Sequence, residues 1–153
     1  MSDPGEIRAL LAPMPGAAVL VPSSTVAEVM NFTEPEPYHR APPWLLGELR
    51  WNAWTIPLVN LALLAEVSDD EMLPERSRVL VVKTLAEASS VMHVGIVING
   101  LPRIKRVSAA DLVETRRLET PGLFSEVSLD DQAALIPDLD QLAEAIEQAV
   151  YRH

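Results

Sequence analysis

Between Trp44 and Leu61 the chain reads WLLGELRWNAWTIPLVNL. If Asn52 and Ala53 form a two-residue turn, Trp51 pairs with Trp54, Leu49 with Ile56 and Gly47 with Leu58. With Leu45 these positions make one apolar face. The other face carries Glu48 and Arg50 opposite Pro57 and Thr55. A slip of one residue would exchange the two faces, so the pattern specifies the register of a β-hairpin. Asn tolerates a left-handed backbone, whereas Ala does so at a cost of roughly 1 kcal/mol. The turn is therefore slightly strained, or longer than two residues. The segment also holds all three tryptophans of a chain with seven aromatic residues. Such bulk either fills a core or forms a surface that a partner grips. Two tryptophans flanking a turn can seldom both be buried, so at least one of Trp51 and Trp54 is expected to be partly exposed. An exposed tryptophan is a typical interface anchor.

The rest of the pattern is mostly β. Ile7–Pro13 and Ala17–Pro22 are short apolar runs separated by the turn residues Pro15 and Gly16. Thr25–Phe32 is a further strand. Thr33–Pro43 holds four of the thirteen prolines, which lack the amide donor, and reads as an ordered surface loop. Leu58–Val67 turns helical at its end, and Ser68–Ser77 is a polar loop. Arg78–Leu85 is a buried strand. Val91–Ile98 is another, with Met92, Val94, Ile96 and Ile98 on one face. Asn99 and Gly100 signal either a hairpin or one bent strand that continues through the glycine. Ser108–Leu118 is ambiguous, and the runs FSEVSL and AALIPDL read as closing strands. The last element is a helix. Asp138 caps it, Gln141 stands three residues on, and Leu139, Leu142, Ile146 and Val150 recur at helical spacing.

One domain of this length can bury a core without staples. A formal net charge of −10, with eight acidic residues and one arginine after Arg117, argues against nucleic acid and anionic membranes. The absence of cysteine removes disulfides and thiolate chemistry. The N-terminal stretch does not read as a secretory signal, and no run approaches the ~20 apolar residues of a membrane span. A cytoplasmic protein without membrane insertion is expected. His39, His93 and His153 are far apart, and His93 reads as a satisfied strand histidine. No nucleophile with a base, phosphate loop or metal spacing is present. Ser23–Thr25, Ser68–Asp70 and the pair Asp130 and Asp131 read as bends and solvated loops. No catalytic residue, cofactor or metal is expected. Arg103, Lys105, Arg106, Arg116 and Arg117 form a basic run that is either a solvated face or a receiver for an acidic partner.

The ordered stretches LLAP…AAVLVPSSTVAEVMNF, APPWLLGELRW…TIPLVNLALLAEV, RVLVVKTL and VGIVINGLPRIKRV resemble the CheW family, the adaptor proteins of bacterial chemosensory arrays. The match lies in the order of a strand with V-x-E-V, an entry P-x-W-L-x-G, a turn, a strand of the I-P-L-x-x-L type and a later segment of the G-L-x-V-D-x-V type. Gly47 and Pro57 stand ten apart, as the family's glycine and proline do. The likeness covers about two-thirds of the chain, Ile7 to Val107. Each motif is weak alone, and the set is fairly specific. Trp44 and Trp51 resemble the divergent, ChpC-like adaptors of type IV pilus chemosensory systems.

The resemblance implies an all-β fold of two SH3-like five-stranded barrels sharing a core, with residues 1–153 forming one CheW-like domain. It implies a non-catalytic adaptor that bridges a methyl-accepting chemoreceptor and the regulatory domain of a CheA-type histidine kinase. Four positions depart from the family. Asn52 and Ala53 stand where Arg-Gly is usual at the turn, and Asn60 and Asn99 replace aspartates. Glu28 matches the family's strand glutamate. Arg50 lies on the same strand face as the missing arginine and is placed to take over its ionic role. Glu28 and Arg50 are thus expected to form a polar pair, with independent solvated side chains as the other reading. Leu58, Val59, Ile96 and Ile98 are apolar contact candidates, each more often core than surface. The expected partner-binding set is Glu28, Arg50, Asn52, Trp54, Leu58, Val59, Ile96 and Ile98. Self-association is a further expectation. Two other functions stand beside the adaptor: a small β-barrel enzyme, and a self-associating scaffold without kinase binding.

Overall fold

The computed structural model describes residues 6–68, 76–84, 91–116 and 123–151. Eleven strands form among them: β1 Glu6–Met14, β2 Ala17–Pro22, β3 Val26–Asn31, β4 Leu45–Trp51, β5 Trp54–Val59, β6 Arg78–Lys83, β7 His93–Ile98, β8 Arg103–Ser108, β9 Val113–Arg116, β10 Phe124–Leu129 and β11 Gln132–Pro137. Two helices accompany them, the single turn α1 Leu61–Leu64 and the terminal α2 Leu139–Tyr151. The sequence expectation of an all-β chain with one substantial C-terminal helix is met. Asp69, Asp70, Arg117 and His153 lie outside the described residues.

The strands sort into two sheets. The first runs β8-β1-β2-β11-β10-β9 and the second β3-β6-β7-β5-β4. The first therefore has six strands, one more than the implied five, because β9 extends it beyond β10. The second sheet is built from the continuous stretch β3 to β7, inserted between β2 and β8. It curls into a barrel. After β3 the chain returns so that Glu36 and Glu48 exchange backbone hydrogen bonds of 3.0 and 2.9 Å, tying the continuation of one edge strand to the other edge strand. In the first sheet Lys105 of β8 forms an ion pair with Asp130 in the β10–β11 turn, which links strands far apart in sheet order.

Side-chain alternation explains why so many strands are apolar without interruption. Val79 and Val81 of β6 enter a cluster inside the second barrel, while Leu80 and Val82 enter a second cluster shared with the first sheet. In β2, Ala18 and Leu20 face the interior of the first sheet, and Val19 and Val21 face the shared cluster. Both faces of these strands are buried, so the alternation of polar and apolar residues seen in one-sided sheets disappears. Leu142, Ala143 and Ile146 of α2 close the shared cluster. The helix starts as expected. The Gln141 amide donates to Asp138 Oδ1 at 3.1 Å, and the Leu142 amide donates to the Asp138 carbonyl at 2.8 Å.

Asn99–Gly100 makes neither a hairpin nor a continued strand. β7 belongs to the second sheet and β8 pairs with β1 in the first. The chain crosses between sheets here, with the Asn99 amide donating to the Pro13 carbonyl at 2.7 Å. Among the described residues no helix is long and apolar enough to cross a membrane.

Candidate functional site

The hairpin β4–β5 has the register expected from its sequence, including Trp51↔Trp54, Leu49↔Ile56 and Gly47↔Leu58. Asn52 takes the left-handed backbone at φ 55, and Ala53 is not among the positive-φ residues. The turn keeps two residues and places its one unfavourable dihedral on the side chain that tolerates it.

Five strand ends meet at this end of the second barrel. β4 finishes and β5 starts at the hairpin, β7 runs parallel to β5, and β6 and β3 follow by antiparallel pairing. Each strand places one residue at the rim on its inward-facing series: Glu28 on β3 in phase with Met30, Lys83 on β6 in phase with Val79 and Val81, His93 on β7 in phase with Val97, and Trp51 and Trp54 across the hairpin. The Trp51 indole Nε1–H donates to Glu28 Oε2 at 3.0 Å. The Trp51 ring lies against His93 with centroids 4.8 Å apart and planes inclined by 49°. His93 stands opposite Lys83 in the β6–β7 register. Burial, and secondarily the Lys83 ammonium, hold the His93 pKa below its ordinary value, so the imidazole against the tryptophan is neutral at neutral pH.

The rim thus has a fixed part and a free part. Trp51 is half-buried, packed on the barrel core and clamped between a carboxylate and an imidazole. Trp54 is 60% exposed, and Met92, just before β7, is 54% exposed. The expectation that at least one hairpin tryptophan faces solvent is met by Trp54. Trp44 lies away from the rim and packs against the shared core.

Two expectations need correction. Glu28 is held by Trp51, and Arg50 makes no ion pair among the described residues. The reason is strand parity: Arg50 points to the outer face opposite Thr55, whereas Trp51 points to the inward series that contains Glu28. Leu58, Val59, Ile96 and Ile98 are all fully buried and offer no contact surface. Leu58 fills the second barrel, and the other three fill the shared cluster. Asn60 has a structural task, since its side chain accepts from the Leu63 amide at 3.3 Å and caps α1. Asn52 is exposed at the hairpin tip. The basic run is divided: Arg103 and Arg106 are exposed on β8, while Lys105 is taken by Asp130. Among the described residues no group of three histidine, aspartate or glutamate side chains is placed to hold a metal ion.

The family model described as CheW-like domain matches residues 8–147. The chain belongs to the CheW-like domain family. Its backbone is similar to the crystal structure of scaffolding protein TtCheW from Thermoanaerobacter tengcongensis, with a TM-score of 0.71 over 92% of this chain and 89% of that one. The two are 14% identical, so the likeness speaks for the fold alone. No curated protein matches the chain in sequence. The hairpin of this member carries Asn52 at its tip with Trp51 and Trp54 on either side of the turn.

Proposed function

We propose that this chain is a non-catalytic adaptor of a chemosensory pathway, coupling chemoreceptors to a CheA-type histidine kinase through the hairpin end of its second barrel. The observation that carries the reading is Trp54, a large aromatic side chain 60% exposed across the hairpin from Trp51, which Glu28 and His93 hold in place. Exposed aromatics on preorganised surfaces supply much of the energy of protein contacts. Glu28 keeps one carboxylate oxygen beyond its bond to Trp51 and offers a cation on the partner a directed acceptor.

The test is binding of the purified chain to the regulatory domain of the cognate kinase, and separately to the receptor tip. Trp54→Ala is expected to weaken one of these by about 2 kcal/mol or more, the scale of a hot-spot residue, with the melting temperature unchanged. Association with neither partner at high micromolar concentration would remove the adaptor reading. Binding that is untouched by Trp54→Ala would move the contact elsewhere on the chain.

A further inference from the structure

The opposite end of the second barrel carries a different chemistry. There β3 ends, β6 begins and β7 has just finished, next to the crossing into the first sheet. An open cavity of ≈ 730 Å³ lies between them, lined by Asn31, Phe32, Arg76, Arg78, Gly100 and Leu101 among others. Its size falls within the range of small-molecule sites, about 300–1,000 Å³.

We infer that this cavity binds a phosphorylated aromatic ligand of nucleotide size. Two arginines line it, and no described lining residue is a carboxylate, in a protein whose formal net charge is −10. Neither guanidinium forms an ion pair among the described residues. Arg78 is already oriented, because its Nη1 donates to Asn31 Oδ1 at 3.2 Å. Its remaining N–H groups suit the planar fork contact that phosphate oxygens accept. Phe32 packs its inner side against the barrel core and lines the cavity with the rest. It gives a held aromatic surface for a ring to stack on. Leu101, 70% exposed, supplies a second apolar wall. Gly100 sits at φ 137, and a Cβ built there would meet nothing nearer than Pro13 Cγ at 3.9 Å, so the space above its backbone is open. Charge, aromatic surface and open backbone converge in one place, away from the tryptophan rim.

The experiment is calorimetric titration of the full chain with ATP and GTP, with tripolyphosphate as the charge-only probe and adenosine as the ring-only probe. The expected result is saturable nucleotide binding that weakens with added salt. Arg78→Ala and Arg76→Ala are each expected to weaken it about tenfold or more, the scale of a charged hydrogen bond. Phe32→Leu, which retains packing volume, weakens it without removing it. Circular dichroism of each variant establishes that it is folded. Absence of binding at millimolar nucleotide, or binding that survives both arginine substitutions, overturns the inference. Tripolyphosphate binding as tightly as nucleotide overturns the aromatic ligand class. Loss of kinase or receptor binding in the arginine variants, with no nucleotide bound by the native chain, overturns it in favour of a protein carboxylate.

Discussion

His93 is a neutral base packed on an indole, and its protonation is opposed by burial and by Lys83. The ionisable groups on the inward series of this rim are Glu28, Lys83 and His93, with Arg50 on the outer face. The folded-state pKa lies below the ordinary 6.5, so the unfolded chain takes up the proton first. Stability from this residue is therefore complete above pH 6.5 and falls as the pH drops through 6.5 toward the depressed folded value. Unfolding of the native chain and His93→Gln in urea between pH 7.5 and 5 is expected to show a shallower pH slope for the variant. Parallel slopes would mean that the imidazole does not couple to folding. A second residue acts through the backbone. Gly47 sits at φ 147, where a Cβ would approach the Glu36 carbonyl oxygen to 2.3 Å, at the bridge that closes the barrel. Gly47→Ala is expected to cost about 2–3 kcal/mol, as strained and overpacked positions do, measured as a lowered denaturation midpoint. The sequence singled out Glu28 and Trp54, which the structure brings to one rim, but paired Glu28 with Arg50 where the structure pairs it with Trp51. Arg50 and Trp51 are neighbours in the chain and point to opposite faces, and charge matching outweighed parity. His93 gave no signal, because its contact with Trp51 depends on the parallel pairing of β5 with β7, which nothing local encodes.

At the level of elements, local patterning was a sound guide wherever local chemistry decides the outcome. The β4–β5 hairpin followed from two faces that only one register satisfies. Helix α2 followed from a cap and a 3.6-residue stripe. Asp138→Ala is expected to lower stability by about 1 kcal/mol, the usual value of a lost N-cap. Asp138→Asn should restore most of it, and equal losses from both would show that the cap contributes nothing. The sixth strand of the first sheet and the crossing at Asn99 were not legible. A turn signal says that the chain changes direction, and it carries no information about which sheet receives the next strand. That choice is made by the backbone pairing of β1 with β8, which are distant in the chain, once both exist. The continuous apolar runs of β2, β6 and β7 concealed a two-sided role for the same reason. A strand buried on both faces shows no period from which its facing partners can be read.

Three clusters hold the described residues together, and the shared one decides how they unfold. It draws Val19, Val21 and Leu135 from the first sheet, Leu80, Val82, Ile96 and Ile98 from the second, and Leu142 and Ile146 from α2. Neither barrel retains its outer wall if this cluster separates, since Val19 and Ile96 are fully buried only by the opposing sheet and helix. The two sheets are therefore expected to unfold as one cooperative unit. The chain carries its own reporters. Trp51 and Trp54 lie on the second barrel and Trp44 packs against the shared cluster, so fluorescence follows the second barrel and its seam, while far-ultraviolet circular dichroism follows the strands of both sheets. Urea transitions by the two signals should coincide. Ile146→Ala removes a buried side chain from the helix, outside both sheets, and is expected to cost about 2–5 kcal/mol. Cooperative unfolding requires that this loss move the fluorescence midpoint as far as the dichroism midpoint, although residue 146 belongs to neither barrel. A fluorescence transition left in place while the dichroism transition moves would show that the second barrel stands alone and that the shared cluster joins two independently stable units.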